Sequence, residues 1–184
     1  MIVKTQLPTL VTFSFICIAL TSVCSGNEKN DQSFSYENYE AVLKANVDDA
    51  GMVNYSKLKA NHEQLDKYIN AITKLDKNSF EKWVDPEKIA FWLNAYNTLT
   101  LKAIIDNYPI KPSFLKARFY PENSIRQIPG VWDKLKFNVM GEKLTLSQIE
   151  HEILRKDFKE PRIHMAMVCA AMGCPALRNE PFYT

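Results

Sequence analysis

The sequence predicts an α+β fold in which a helical layer packs on a small mixed β-sheet. Three features support this prediction: apolar residues at helical spacing in the first half, a long apolar helix after Asp85, and strand-like patterns in the last third. Of the 184 residues, 46% are hydrophobic and 24% are charged. These values are typical of one globular domain, and they disfavour collagen-like, disordered and multi-span membrane proteins.

The charge balance gives no support to a nucleic-acid partner. The chain carries 23 basic and 21 acidic residues, a formal net charge of +2, and no basic stripe is visible in the sequence. Proteins that hold a phosphate backbone normally concentrate Lys and Arg on one face. We therefore expect no DNA or RNA partner, and the charge alone names no other; a small-molecule or peptide-like substrate is expected only from the reactive residues described below.

Residues 1–24 predict a secretory signal peptide. Lys4 precedes an apolar run over residues 10–24, which is shorter than the roughly 20 residues of a membrane span. Cys24 ends this run, so the leader is either cleaved near Ser25 or processed as a lipoprotein with Cys24 acylated. Both alternatives predict an exported protein, periplasmic or anchored to the membrane only through the lipid.

A polar tether over residues 25–33 and a single α+β domain over residues 34–184 should follow the leader. Apolar spacing predicts a helix after Phe34, and VDDAG at residues 47–51 predicts a turn. A short extended piece over residues 52–55 comes next, and Ser56 is the expected N-cap of the following helix.

The longest predicted helix starts at Asp85 and runs to about Asn107. The Asp-Pro-Glu start is typical of a helix N-terminus, and the apolar sequence that follows predicts burial on most faces. Asn94 and Asn97 interrupt the apolar surface on one side of this helix. Each Asn either ties the helix to a loop or lines a site.

A proline-rich loop is expected over residues 108–130, followed by a β-hairpin over residues 136–146 that turns at Met140-Gly141. Ser147 and Glu150 match a capping box and predict the start of another helix. The apolar run over residues 161–172 then predicts a central strand buried on both faces.

The reactive side chains concentrate in the last third of the chain. Cys174 lies between Gly173 and Pro175, which predicts a helix start and a sulfur near the positive end of a helix dipole. The alternative is a structural Cys174, either buried in a loop or joined to Cys169 by a disulfide. On an extended strand Cys169 and His164 point to opposite faces, so Cys169 is a weaker candidate than Cys174 for a nucleophile paired with His164.

His164 and His151 are the two candidate general bases. A buried imidazole requires partners for both ring nitrogens, so His164 is either a base or a structural histidine. Glu150 has a structural explanation in the capping box, and a catalytic role is its alternative.

Neither a metal nor a cofactor is predicted. The spacing of His164, Cys169 and Cys174 is not a familiar zinc pattern, even with His151 added. The sequence has no Gly-rich phosphate loop, nucleophile-elbow serine or HExxH motif, which disfavours nucleotide-dependent enzymes, serine hydrolases and zincin peptidases.

Four ordered motifs resemble the family known as domain of unknown function 547. They are AFWLNAYNTLTLKAI, SIRQIPGVWDK, LTLSQIEHEILR and PRIHMAMVCAAMGCPALR, and the likeness covers about residues 85–184. Family members occur in bacteria and in plants, and the name implies no assigned activity. Domains of this family continue past the CPxLR motif, so the resemblance implies that the printed sequence is a fragment.

The candidate residues occupy the polar and reactive positions of these family motifs. They are Asn94, Asn97, Glu150, His151, His164, Cys169 and Cys174. A more remote analogy is to papain-like and transglutaminase-like cysteine hydrolases. It implies a cysteine-dependent hydrolase or transferase acting on an amide or thioester of a peptide-like or cell-envelope substrate. Cys174 would be the nucleophile, His164 or His151 the base, and Asn94 or Glu150 the orienting group.

The rival hypothesis is a non-catalytic binding module of the cell envelope. In that case Cys169 and Cys174 form a disulfide, and the histidines are structural. An enzyme requires a reduced Cys174 close to an imidazole nitrogen, so the state of this cysteine separates the two hypotheses.

Overall fold

The computed structural model describes residues 34–112, 114, 116–170 and 173–184. The predicted signal peptide over residues 1–24, with Cys24, and the predicted tether over residues 25–33 lie outside this part. Phe34 to Thr184 form one compact unit. In this part no helix is long and apolar enough to cross a bilayer.

Short helices, a small hairpin and one long helix make up the described chain. The helices are α1 (Glu37–Asn46), α2 (Tyr55–Ala60), α3 (Glu63–Lys74), α4 (Lys77–Glu81), α5 (Asp85–Asn107), α6 (Leu146–Gln148), α7 (Arg155–Asp157) and α8 (Ile163–Ala166). A 3-10 turn spans Ile125–Gln127, and a π-helical segment, Ile149–Leu154, joins α6 to α7. The strands are β1 (Lys136–Val139) and β2 (Glu142–Thr145). The fold is therefore α+β, as predicted.

Helix α5 forms the centre of the molecule and confirms the prediction for residues 85–107. Its carboxylate Glu87 accepts a hydrogen bond from the Val84 N–H at 3.0 Å, which satisfies a free donor at the helix start. Fifteen of its 23 residues are buried. Because α5 is apolar nearly all round, α1, α2, α3 and the 146–157 segment can all pack beside it around one core.

The predicted hairpin is confirmed with its turn at Met140-Gly141. Strands β1 and β2 are antiparallel, with Val139 opposite Glu142. Met140 and Gly141 have φ angles of 49° and 78°, and positive φ at both central residues matches the right-handed twist of a two-residue hairpin. This is the only sheet in the described part, so the predicted mixed sheet is wrong.

Two helix starts differ from the predictions. Asn54, not Ser56, caps α2, because its side-chain oxygen accepts the N–H of Lys57 at 2.9 Å. The single helix expected there is two helices, α2 and α3. The capping box before α6 consists of Thr145 and Gln148 rather than Ser147 and Glu150, since the helix begins where β2 ends.

The central strand predicted over residues 161–172 is wrong. Ile163–Ala166 form the short helix α8, and residues 167–170 have no regular structure. A strand needs a neighbouring backbone to bond. Here the side chain of Asn97 bonds the backbone of Ala166 and Val168 instead. His164 is consequently exposed rather than buried in a sheet.

The helix predicted from Pro175 is also wrong. Residues 175–178 have no regular structure, so no helix dipole points at Cys174. Leu177 of this segment is buried in the main core. Gly51 allows this segment to approach the turn after α1 closely, because an added Cβ at Gly51 would lie 2.5 Å from the Cβ of Ala176. The φ angle of Gly51, +76°, also favours glycine.

Candidate functional site

The predicted site residues fall into three groups. Glu150 and His164 lie in one hydrogen-bonded network, Cys174 is bonded to Cys169, and Asn94 bonds the chain near its end. His151 is exposed. Its side chain makes no hydrogen bond or ion pair with the part of the chain that the structure describes.

Arg155 connects Glu150 to His164. Its Nη2 lies 2.7 Å from Oε1 of Glu150 and 2.9 Å from Nδ1 of His164. The π-helical segment produces this arrangement, because the N–H of Arg155 bonds the carbonyl of Glu150 five residues earlier. In a regular α-helix, residues five apart do not face each other, so this contact depends on the wider π turn.

The Arg155 contact determines which nitrogen of His164 carries the proton. A guanidinium has only donors, so Nδ1 must accept the hydrogen bond from Nη2. The neutral ring then carries its hydrogen on Nε2. A general base needs a free lone pair on one ring nitrogen, and in this geometry the Nδ1 lone pair of His164 is engaged by Arg155. In this geometry His164 presents a donor at Nε2.

Tyr96 on α5 lies at the inner end of this network. Its hydroxyl is 3.5 Å from Oε2 of Glu150, and Tyr96 is only 1% exposed. Burial, followed by the nearby charge of Glu150, raises the pKa of the Tyr96 hydroxyl well above its ordinary value. Tyr96 therefore stays a neutral hydrogen-bonding group at physiological pH.

Cys174 forms a disulfide with Cys169, with their Cα atoms 6.0 Å apart. Both residues are partly buried. A disulfide sulfur has no thiolate form, so Cys174 in this state lacks the nucleophile of a cysteine hydrolase. The bond also joins the segment after α8 to the segment that carries Leu177 into the core.

Asn94 and Asn97 each hold a backbone segment against α5. Nδ2 of Asn94 donates to the carbonyl of Phe182 at 2.8 Å, and its Oδ1 accepts the Phe182 N–H at 2.9 Å. Asn97 donates to the carbonyl of Ala166 at 3.1 Å and accepts the N–H of Val168 at 2.8 Å. Both amides are thus committed to holding the chain, and the orienting role predicted for Asn94 stays a prediction.

Two cavities border this region. The larger, of about 650 Å³, has a mostly apolar wall that includes Leu93, Met165 and Phe182, and Arg162 and Arg178 lie among its lining residues. The smaller, of about 400 Å³, is lined by Arg155, Phe158, Lys159, Glu160, Pro161, Ile163 and His164. The predicted base His164 therefore lines the smaller cavity.

Glu160 lines both cavities, but Arg162 engages its carboxylate. Nε of Arg162 lies 2.8 Å from Oε1 and Nη2 lies 2.7 Å from Oε2, a two-point contact. The hydrogen bonds from Arg162 lower the pKa of Glu160 to about 2. Glu160 is therefore ionised at neutral pH, and its charge is balanced by the guanidinium beside it.

Arg155 is the residue that the sequence analysis missed. It ends the IEHEILR string, but α-helical spacing separates it from Glu150. Only a π turn brings the two side chains together, and nothing in the sequence pattern indicated one. Within the described residues, no group of three or more His, Cys, Asp or Glu side chains could hold a metal ion.

The family described as protein of unknown function, DUF547, matches residues 80–184. This is more than half of the chain. The chain belongs to the DUF547 family. No curated protein and no solved structure is detectably similar to it. The DUF547 region contains α5, the hairpin, the Arg155 network and the disulfide, whereas α1, α2 and α3 lie before it.

Proposed function

We propose that this DUF547 protein is an exported, non-catalytic binding module of the cell envelope. The observation that carries the proposal is the Cys169–Cys174 disulfide, which removes the one thiol best placed to act as a nucleophile. The contact between Arg155 and His164 supports the same conclusion, because it occupies the Nδ1 lone pair, the one position on the neutral ring that could accept a proton.

The larger cavity is the proposed ligand site. Its volume of about 650 Å³ falls in the range of small-molecule sites, which are mostly apolar with a few polar groups. The disulfide stabilises one wall, since Val168 and Ala176 line the cavity next to the bonded cysteines. A small molecule or a peptide-like ligand with an apolar body is the expected partner.

Export is the part of the proposal that rests on residues 1–24. A disulfide persists in an oxidising compartment such as the periplasm, so the bonded cysteines support the same localisation. We propose a periplasmic protein or a lipoprotein anchored at Cys24. The membrane then contacts only the lipid, and the folded part binds its ligand in the aqueous phase.

A second candidate function is a cysteine-dependent hydrolase that works after reduction of the disulfide. The observation that favours it is the Arg155 network, which joins two predicted site residues, Glu150 and His164. Cys174 would attack an amide or thioester of a peptide-like envelope substrate, in a papain-like or transglutaminase-like arrangement. His164 would then have to release Arg155 and expose a lone pair, with His151 as the alternative base.

Alkylation of Cys174 tests both functions. The full-length protein is treated with a thiol reagent over a range of pH, with and without prior reduction, and the labelled site is identified by mass spectrometry. The binding module predicts no labelling of Cys174 before reduction. After reduction, the rate should follow an ordinary thiol with a pKa of about 8.5.

Three variants serve as controls. Cys169→Ser frees Cys174 without a reductant, and His164→Ala and His151→Ala remove each candidate base. Fast labelling of Cys174 in reduced protein or in unreduced Cys169→Ser, persisting well below pH 7 and slowed by one His substitution, would contradict the binding module. That result would support the hydrolase and identify its base.

A further inference from the structure

We propose that the smaller cavity beside His164 is a binding site for an oxyanion, the carboxylate or phosphate group of a small molecule. Three donor groups line this cavity: Arg155, Lys159 and His164. The inference goes beyond the proposed function, because it does not depend on what occupies the larger cavity or on the state of Cys174.

His164 contributes a directed N–H. Because Nδ1 accepts from Arg155, the neutral ring carries its hydrogen on Nε2, and His164 is one of the residues that line the cavity. Arg155 holds the ring in this orientation, and Glu150 in turn holds Arg155, with 2.7 Å between its Oε1 and Nη2 of Arg155. A preoriented donor loses little conformational entropy when it binds an anion.

Arg155 retains donors for a ligand. Both side-chain hydrogen bonds of Arg155 to the described residues leave from Nη2, so Nε–H and the Nη1 hydrogens remain available. The Arg155 side chain is 43% exposed, so these donors can be reached from solvent. Each of these donors can make a charge-assisted hydrogen bond to a carboxylate or phosphate oxygen.

Lys159 adds a positive charge that has no ion-pair partner among the described residues. It is exposed and lines the cavity with Arg155. The acids nearby are already paired, Glu150 with Arg155 and Glu160 with Arg162. With a neutral imidazole at His164, the three cations Arg155, Lys159 and Arg162 outnumber the two carboxylates by one. One excess positive charge therefore lies beside the unused donors.

The apolar part of the wall suits a small organic anion better than a free ion. Phe158, Pro161 and Ile163 line the cavity beside the donors. Such a surface excludes some water and strengthens the contacts to charged groups. A cavity of about 400 Å³ has room for a group larger than the oxyanion itself.

The test is an NMR titration of the full-length protein with inorganic phosphate and, separately, with acetate, at constant ionic strength set by chloride. The signals of the His164 ring should shift and saturate with one or both anions. The rings of His62 and His151 should move little, because neither residue lines the cavity. Saturation with phosphate alone would assign the phosphate class, and saturation with acetate would show that carboxylates bind.

Two lysine variants form a matched pair. Lys159→Ala removes a cation that lines the cavity, and it should weaken the apparent affinity by about fivefold. Lys156→Ala makes the same change in net charge at an exposed residue that does not line the cavity, and it should leave the affinity unchanged.

Three results would overturn the proposal: shifts that rise without saturation, equal movement of all three histidine rings, or equal weakening by the two lysine variants. Each would indicate general screening by ions and no site. Because this readout is separate from Cys174 alkylation, either proposal can fail while the other stands.

Discussion

At the scale of single residues, buried asparagine side chains replace the backbone partners that a sheet would provide. Asn94 is 0% exposed, and its amide bonds both polar backbone groups of Phe182. The amide of Asn97 likewise bonds the carbonyl of Ala166 and the N–H of Val168, on either side of Met167. A side-chain amide carries one acceptor and a donor group in fixed geometry, so one Asn can satisfy an N–H and a C=O together.

Asn94→Ala should lower the free energy of unfolding by about 3 kcal/mol, because it leaves the N–H and C=O of Phe182 without partners next to a buried helix. Urea unfolding measures the loss, and hydrogen exchange at the Phe182 amide should become faster. Asn107→Ala is the matched control on α5, since its exposed amide bonds only the Ala103 carbonyl one turn earlier. A loss at Asn94 no larger than the loss at Asn107 would show that the contacts to Phe182 add no stability.

At the scale of elements, the segment from Thr145 to Asp157 connects the hairpin to the candidate site. Thr145 ends β2 and also caps α6: its Oγ1 accepts the N–H of Gln148 at 3.1 Å, and Oε1 of Gln148 accepts the N–H of Thr145 at 3.1 Å. The π-helical segment that follows places Glu150 and Arg155 side by side. The start of the helix therefore sets the position of the network that holds His164.

Thr145→Val tests this cap, because it keeps the branched shape and removes the oxygen that accepts the Gln148 N–H. The free energy of unfolding should fall by about 1 kcal/mol. Ser147→Ala, at the residue that the sequence pattern predicted as the cap, should change it by less than about 0.5 kcal/mol. Urea unfolding of both variants decides the matter, and a larger effect at Ser147 would mean that the helix starts later in solution.

At the scale of the whole molecule, aromatic residues before the DUF547 region pack against one another and against rings within that region. The rings of Tyr39 on α1 and Tyr68 on α3 stack with centroids 5.0 Å apart, and Phe34 packs edge-on against Phe91 of α5 at 5.3 Å. Tyr36 also contacts Tyr183 near the end of the chain, at 5.8 Å. One core therefore includes residues from both regions.

Buried tyrosines should make the fold sensitive to alkali. Burial raises the pKa of Tyr55 to about 12 and that of Tyr36 to about 12, from an ordinary value of 10.0. Because the folded-state pKa is raised, the stabilisation is complete below the unfolded value near pH 10 and is lost as pH rises towards 12. The free energy of unfolding should fall by up to about 2 kcal/mol for each of these tyrosines over that range.

Urea unfolding at several pH values from about 8 to 11.5 measures this loss, and tyrosinate absorbance reports the ionisation itself. Tyr55→Phe keeps the ring and removes the titrating hydroxyl. The variant should therefore lose less stability than the parent between about pH 10 and 11.5, and the two should respond alike below pH 9. Equal losses at high pH would show that Tyr55 ionises as readily in the folded state as in the unfolded state.

Local sequence patterns were sufficient to predict the elements whose structure is determined by their own residues. The Asp-Pro-Glu start and the continuous apolar surface predicted α5 from Asp85 to Asn107, and Met140-Gly141 predicted the hairpin turn. Each signal is encoded within a few neighbouring residues, so no knowledge of the rest of the fold is needed. Family membership was equally accessible, because the motifs lie in order along the sequence.

The same patterns could not predict what residues 161–178 do. An apolar run is compatible with a buried strand or with a short helix and a loop, and the choice depends on which partner meets its backbone. Asn97 takes the place of a neighbouring strand there, so the run does not form one. Spacing likewise could not separate a free thiol at Cys174 from a bond to Cys169, since that depends on how close the chain brings the two sulfurs.

Residue types and the spacing of near neighbours were therefore enough to predict the family, the central helix, the hairpin and the list of reactive side chains. How those side chains are used depends on the folded chain. It pairs Cys174 with Cys169, directs both Asn amides to the backbone, and places Arg155 between Glu150 and His164. Such contacts join residues that are distant in sequence or brought together by a π turn, so only the folded chain specifies them.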